Sequence, residues 1–332
     1  MPSPRACRIA HHMSKDIFHT VSGAEQGCRL DALVARIAQY GFRTAKRAIA
    51  EGNVLVNGKS RPPHYKVVAE SCLVIRQTVP EHAFPLLEVA AASSDYMAFV
   101  KPAGLHTAHI AESNTPSLEQ SIACQWLDYR ATGNISPGSA LPDFLLSLLP
   151  EQTTPSLYPL SALPENAPLL LSRLDAATSG LVPAATSAAA AERFKVLERT
   201  GLVCKYYLTV VRGSLEKNLT ITNALDTDTR KKTRVLEKFS ADKTRHTEVF
   251  PLNTLTIPSF QDTGENLSFA AVRIKRGARH QIRAHLAYAG FPLLGDALYG
   301  PDPETQNLHL HHACLTMPDF FAFCLPAWFT TE

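Results

Sequence analysis

The stretch LLLSRLDAATSGLV, residues 169–182, decides how the chain is read. An apolar run leads into Arg173-Leu174-Asp175, and Thr178-Ser179-Gly180 hands the chain to a second apolar run. Asp, Thr and Ser hydrogen-bond nearby backbone amides and glycine relaxes a turn, so the stretch reads as strand, loop, strand. The triplet alone says little. It recurs as Arg29-Leu30-Asp31 in CRLDALVARI, where it opens a helix. If Asp175 is more than a turn carboxylate, the reason lies in the rest of the chain.

The chain has 332 residues, 45% hydrophobic and 19% charged. That composition excludes a disordered polymer and suits one large domain plus a small one. The net charge of +3 does not argue for a polyanionic partner, but its distribution does. Residues 29–66 hold eight basic residues against two acidic ones, a net +6, which leaves −3 for the remainder. A local basic face can hold a polyanion on a nearly neutral chain. Seven scattered cysteines without CxxC spacing read as reduced, mostly buried thiols rather than a disulfide framework. MPSPRACRIAHHM has no continuous apolar core of a signal peptide. FFAFCLPAWF is too short to span a bilayer and contains proline. A cytoplasmic protein with no membrane role is expected, and nothing demands more than a monomer.

Residues 1–20 read as a flexible tail. Leu30, Leu33, Val34 and Ile37 then share one helical face. A second helix is expected from an N-cap at Thr44 to Gly52, with Arg43, Lys46 and Arg47 at its start. VLVNGK carries Asn57-Gly58, the signal for a tight hairpin, before Lys59, and LVIRQ (73–77) closes a small sheet. Residues 79–88 read as a linker. YMAFV is a strand that runs into the turn Lys101-Pro102-Ala103-Gly104. Residues 110–168 read as a variable, partly irregular insertion with a helix at 117–129. Ser187 caps an alanine-rich helix that buries Ala190, Phe194 and Leu197 and ends at Gly201. VCKYYLTVV (203–211) and FAAVRI (269–274) are strands, and HQIRAHLAYAG is a helix. Strands and helices do not alternate, which favours α+β with a large mixed or mainly antiparallel sheet.

Three patterns carry chemistry. Asp175 sits in its loop. Of Tyr206 and Tyr207, neighbours on a strand, one faces the core and the other can face a cleft as a stacking surface. In GARHQIRAHLAYAGFPLLGDALYG (277–300), Ile282, Leu286 and Ala289 line the buried side of a helix. Arg283 is offset from that stripe near the N-terminal end, and its fork suits a carboxylate. A rival reading places a metal on His309 and His311, which share a strand face in NLHLHHACL, with His280 and His285 as further imidazoles. Structural histidine is favoured over it.

RLDALVARI followed by FRTAKRAIAEGNVLVNGK resembles the S-four-type RNA-binding domain, which places it at residues 21–80 with Arg43, Lys46, Arg47 and Lys59 as RNA contacts. FVKPAGLHT (99–107), SRLDAATSGL (172–181), CKYYLTVVRG (204–213) and GARHQIRAHLAYAGFPLLGDALYG (277–300) resemble, in order, the RluA-type pseudouridine synthase family. That resemblance implies a catalytic domain over 88–332 with flanking helices and a central cleft. It implies Asp175 as the catalytic carboxylate, supported in its loop by Arg173, Thr178, Ser179 and Gly180. Tyr207 would stack on the target base, Arg283 would pair with the aspartate, and Leu298 would be structural.

The implied reaction converts uridine to pseudouridine in structured RNA. Large-subunit ribosomal RNA is favoured, with transfer RNA as the other substrate. No atoms are gained or lost, so neither cofactor nor metal is required. An inactive RNA-binding or ribosome-assembly homologue is the alternative. The chain departs from the family's usual residues at Ser172, Ala176, Ala177, Ala278 and Arg279, which bears on RNA contacts more than on chemistry.

Overall fold

The computed structural model describes residues 16–38, 42–76, 84–110, 115–136, 141–149, 156–228, 231–252, 266–301 and 307–329. Contacts divide the chain into two units, residues 1–83 and 84–332.

The first unit contains β1 (Ile17–Thr20), α1 (Leu30–Ile37), α2 (Phe42–Ala50), β2 (Val54–Val56), β3 (Lys59–Ser60) and β4 (Cys72–Ile75). The strands form a sheet in the order β1-β4-β2-β3. Leu30, Leu33 and Val34 pack with Ile49, Val54, Val56, Leu73 and Ile75 in one core. Asn57 and Gly58 both take positive φ, 49° and 73°, as a primed hairpin turn requires, and Val56 pairs with Lys59 across it. Two expectations are corrected. Residues 17–20 are not tail but an edge strand, paired with residues 72–75 from Ile17↔Ile75 to Thr20↔Cys72. Four residues with Phe18 turned to solvent are too few to show a pattern. The second helix begins at Phe42, so Thr44 is inside it rather than its cap. Burial of Ala45 and Ile49 outweighs the local capping signal.

The first Arg-Leu-Asp triplet is explained here. Asp31 is buried, and Arg29 of the same triplet grips it through Nε (3.1 Å) and Nη2 (2.8 Å). The carboxylate is spent on starting α1.

The second unit contains β5 (Val89–Ala92), β6 (Tyr96–Lys101), α3 (Leu118–Thr132), α4 (Asp143–Leu146), β7 (Leu169–Leu170), β8 (Ser179–Ala185), α5 (Ala188–Arg199), β9 (Cys204–Arg212), β10 (Leu219–Ile221), β11 (Asn223–Asp226), β12 (Arg234–Phe239), β13 (Thr247–Pro251), β14 (Leu267–Ile274), α6 (Gln281–Tyr288), β15 (Leu310–Met317) and β16 (Phe320–Phe323). The main sheet runs β10-β13-β14-β9-β15-β8-β6-β5, with β16 on β15 and β7 on β8. Its pairings are antiparallel except β15 with β8. β11 and β12 form a separate hairpin. Ser187 Oγ accepts the Ala190 amide at the start of α5, and Gly201 ends the segment at φ 74°. The insertion is anchored by α3, whose Leu118, Ile122 and Trp126 enter the main core. Among the described cysteines only Cys314 and Cys324 are buried, while Cys72 and Cys124 are exposed, so the expectation of mostly buried thiols is corrected. No described helix is long and apolar enough to cross a membrane.

β15 joins the parts. Its His311-His312 pair lies beside Ser179-Gly180 on one edge and beside Leu208-Tyr207 on the other. Gly180 takes φ 108°, and a Cβ there would stand 2.4 Å from the His312 oxygen and 2.6 Å from its nitrogen. Both the positive φ and the close approach exclude a side chain. Gly180→Ala is therefore expected to cost on the order of 3 kcal/mol, read from denaturant unfolding; a loss below about 1 kcal/mol would refute this account.

Burial pushes the His311 imidazole down to about 4 and that of His312 to about 3. The unfolded chain, with histidines near about 6.5, binds protons that the folded chain refuses. The stability of the neutral rings is thus complete above about pH 6.5 and is lost as pH falls towards about 4. Each ring steepens that loss by up to ~1.4 kcal/mol per pH unit. Unfolding at about pH 7 and about pH 5 should show it, and His311→Gln should flatten the slope.

Candidate active site

The loop between β7 and β8 is held from beneath by residues 101–107. Thr107 Oγ1 donates to the Leu174 carbonyl (2.8 Å) and accepts the Leu174 amide (3.0 Å). The Gly104 amide donates to the Ala176 carbonyl (2.8 Å). Lys101 is fully buried, and its ammonium donates to the carbonyls of Leu105 (2.7 Å), Pro102 (2.8 Å) and Ala176 (3.1 Å). Burial lowers its pKa to about 8, with the charge of Asp175 working against the shift. The Thr178 amide closes the turn on the Asp175 carbonyl (3.0 Å). Thr178 is buried, and Arg173 is exposed at the rim.

Asp175 projects from this scaffold and meets α6. Arg283 Nη1 donates to Asp175 Oδ2 at 2.9 Å. The same guanidinium grips Asp296 through Nε (2.8 Å) and Nη2 (2.7 Å). Asp296 is buried, and its Oδ1 also accepts the amides of Leu298 (2.9 Å) and Tyr299 (3.0 Å). Burial raises the Asp296 pKa, but hydrogen bonds and charge from Arg283 outweigh it and the net shift is down. Burial likewise opposes the charge on Arg283, and Asp296 and then Asp175 reverse the effect. His280 enters α6 with φ 55° and places Nε2 3.7 Å from Asp175 Oδ1. Its Nδ1 lies 3.1 Å from the Tyr299 hydroxyl. Burial lowers the His280 pKa, with Asp175 opposing and Arg283 reinforcing the shift.

The expectation that Arg283 lies off the buried face of its helix is corrected. Every residue from Gln281 to Leu286 is buried, because β12 and β13 both contact α6. Helical spacing assumes one wet face, and here there is none over that span.

Tyr207 faces the cleft and Tyr206 the opposite side of the sheet, where its hydroxyl donates to the Leu148 carbonyl (3.0 Å). Tyr207 is buried, which pushes its phenol up, with the Asp175 charge adding to the effect. Behind it the His312 ring stacks at 4.6 Å and 16°. His312 Nδ1 donates to the Leu181 carbonyl at 2.6 Å. The cleft in front is a cavity of about 630 Å³ lined by Asp175, Tyr207, Arg283, His280, Ile274 and Leu310 among others. Such a volume lies within the ordinary range of small-molecule and cofactor sites.

The metal reading is not supported by the histidines it needs. His311 Nε2 donates to the Cys324 carbonyl (3.1 Å), so Nδ1 accepts from Ser179 Oγ (2.8 Å). His309 lies against the Trp328 ring at 5.4 Å. In the first unit Lys46 and Arg47 are exposed on α2 and Lys59 on β3, whereas the Arg43 side chain lies outside the described residues. Lys101, His312 and Asp296 carry the geometry without having been read as site residues. Each lies within a stretch quoted above, Lys101 in FVKPAGLHT, His312 in NLHLHHACL and Asp296 in the 277–300 segment, but the local pattern alone gives none of them this role.

A family model for RNA pseudouridylate synthase matches residues 95–288. The uncharacterized RNA pseudouridine synthase YjbO of Bacillus subtilis is 28% identical over 155 residues, 45% of this chain and 50% of that one. The uncharacterized RNA pseudouridine synthase YlyB of the same organism is 25% identical over 305 residues, 87% and 86% of the two chains. Ribosomal large subunit pseudouridine synthase D of Borreliella burgdorferi is 32% identical over 138 residues, 40% and 38% of the two chains. The chain thus matches about half the length of the first relative and less of the third, but most of YlyB. The family model takes in the Asp175 loop, the Tyr207 strand and the Arg283 helix and covers more than half of the sequence: the chain belongs to the RNA pseudouridylate synthase family, in its RluA-type branch.

Proposed function

We propose that this protein isomerises uridine to pseudouridine in structured RNA, with Asp175 as the catalytic carboxylate. Large-subunit ribosomal RNA is the favoured substrate. The observation that carries the reading is one carboxylate held by a guanidinium at the foot of a cleft whose wall is a buried tyrosine.

The reaction breaks the N1–C1′ bond, turns the uracil and joins C5 to C1′. The C5 proton leaves and N1 gains one, so the atoms balance without a co-reactant. An ionised carboxylate serves either as nucleophile at C1′ or as base towards the sugar. Arg283 aims the carboxylate through its Nη1 hydrogen bond. Tyr207, backed by His312, offers a flat face to a base taken out of its stack. A uracil freed within the cleft must turn without escaping, and Tyr207 and Ile274 give it a wall to turn against.

The first unit is assigned the role of an S-four-type RNA-binding domain, with Lys46, Arg47, Lys59 and Arg43 towards the phosphates. Its +6 segment supplies backbone affinity that carries no base information.

Two outcomes are expected. Asp175→Asn should lower pseudouridine formation at least about a thousandfold while RNA affinity stays within about threefold, read as tritium release from C5-labelled uridine beside filter binding. Normal turnover in that variant would remove Asp175 from the chemistry. The triple variant Lys46→Gln, Arg47→Gln, Lys59→Gln should raise KM and flatten its salt dependence by about one to three phosphate contacts, with kcat unchanged. An unaltered salt slope would overturn the assignment of this face.

A further inference from the structure

The wall that closes one side of the catalytic cleft has a second cavity behind it. Gly277, Ala278 and Arg279 line both. The second cavity, of about 490 Å³, is floored by Asn223, Ala224 and Leu225 of β11 and bounded by Thr227, Ser240 and Arg245. Two of its nine lining residues are arginines and none is acidic. Arg245 pairs with the Asp242 carboxylate at 3.7 Å, and Asp242 stands outside the lining. An anionic group is favoured over a cation in such a lining, and Leu225, Ala224 and Ala278 give it an apolar face against which a flat ring packs.

This floor is part of the catalytic helix's own framework. His285 of α6 contacts the Asn223 carbonyl through Nε2 (3.1 Å) and the Thr247 hydroxyl through Nδ1 (2.8 Å). Burial lowers the pKa of this imidazole to about 4, so the ring is a neutral strut at physiological pH. Gln281 Nε2 donates to the Arg245 carbonyl (2.8 Å) and to Thr247 Oγ1 (3.0 Å), and its Oε1 accepts the Ala278 amide (3.0 Å). The helix that aims Arg283 at Asp175 therefore also fixes both walls of the second cavity.

A uridine in the first cavity is one link of a polymer. Its neighbour on one side has to cross the Gly277-Ala278-Arg279 wall if the strand runs that way, and the second cavity lies directly behind that wall. We infer that this cavity is a subsite for one nucleotide adjacent to the target uridine, its base against Leu225 and Ala278 and its phosphate towards Arg245 and Arg279. The inference rests on the pseudouridine synthase reading. It makes the choice of uridine depend on a flanking base as well as on the target, as expected where single-stranded bases are splayed apart for recognition.

The test is a cycle between a filled cavity and a missing base. Wild type, Leu225→Trp and Arg245→Gln are assayed on three RNAs: natural, abasic on the 5′ side of the target uridine, and abasic on its 3′ side. Turnover and binding by anisotropy are measured in parallel. Leu225 lines the second cavity and not the first, so Leu225→Trp is expected to lower kcat/KM on natural RNA about tenfold or more, through KM, and by less than about twofold on one of the two abasic RNAs. Arg245→Gln should weaken binding of all three RNAs alike, because the phosphate is present in each. Equal losses for Leu225→Trp on all three RNAs, or no loss on natural RNA, overturn the subsite. Failure of the wild type to form pseudouridine overturns the catalytic reading instead, and the binding half of the cycle still decides the subsite.

Discussion

One guanidinium shared between two carboxylates organises the second unit. Arg283 spends Nε and Nη2 on Asp296 and keeps Nη1 for Asp175. A buried ion pair costs desolvation that its Coulomb attraction barely repays unless the remaining lone pairs are satisfied. Asp296 meets that condition, because two backbone amides complete its coordination. Arg283 is thus fixed by a partner that takes no part in the proposed reaction. Asp175, a quarter exposed at its side chain, receives an oriented charge and keeps Oδ1 towards the cleft. Had Asp175 been the only anion, the arginine would have followed it. With Asp296 present, the loop has to come to the arginine.

The rest of the scaffold serves that encounter. Lys101 and Thr107 pin the loop from one side, and the His311-His312 pair pins its far end through Ser179, Gly180 and Leu181. Because β15 is also hydrogen-bonded to β9, the same two histidines set the loop against Tyr207. The contrast with Arg29-Leu30-Asp31 is instructive. There the arginine satisfies its own triplet's aspartate and the carboxylate is buried at a helix start. In the second copy Arg173 is exposed and Asp175 takes its partner from 108 residues away. Identical local sequence leads to opposite uses because the tertiary partner differs.

What was legible in the sequence follows the range of the forces involved. Ser187 and Gly201 frame α5, and Asn57-Gly58 makes the hairpin, because caps and primed turns are decided within a few residues. Asp175, Tyr207 and Arg283, each read from its own motif, line one cavity. Long-range burial escaped that reading. Lys101 looked like part of a surface turn, yet it is a buried cation solvated by three carbonyls. Asp296 has no distinguishing local pattern within the 277–300 segment, and its importance depends on an arginine thirteen positions earlier. The edge strand 17–20 needed β4 to exist before it could be seen.

The departures at Ala176, Ala177 and Ala278 fall at places with different consequences. Ala176 contributes its carbonyl to Lys101 and Gly104 and also lines the cavity beside Asp175. Ala177 is exposed on the loop. Ala278 alone forms part of a wall common to two cavities, where the size of the side chain sets the space on both faces. The clamp of Asp175, Arg283 and Asp296 involves none of the three. A change of side chain at Ala278 therefore alters the space on both sides of that wall while the geometry that holds the carboxylate is left intact.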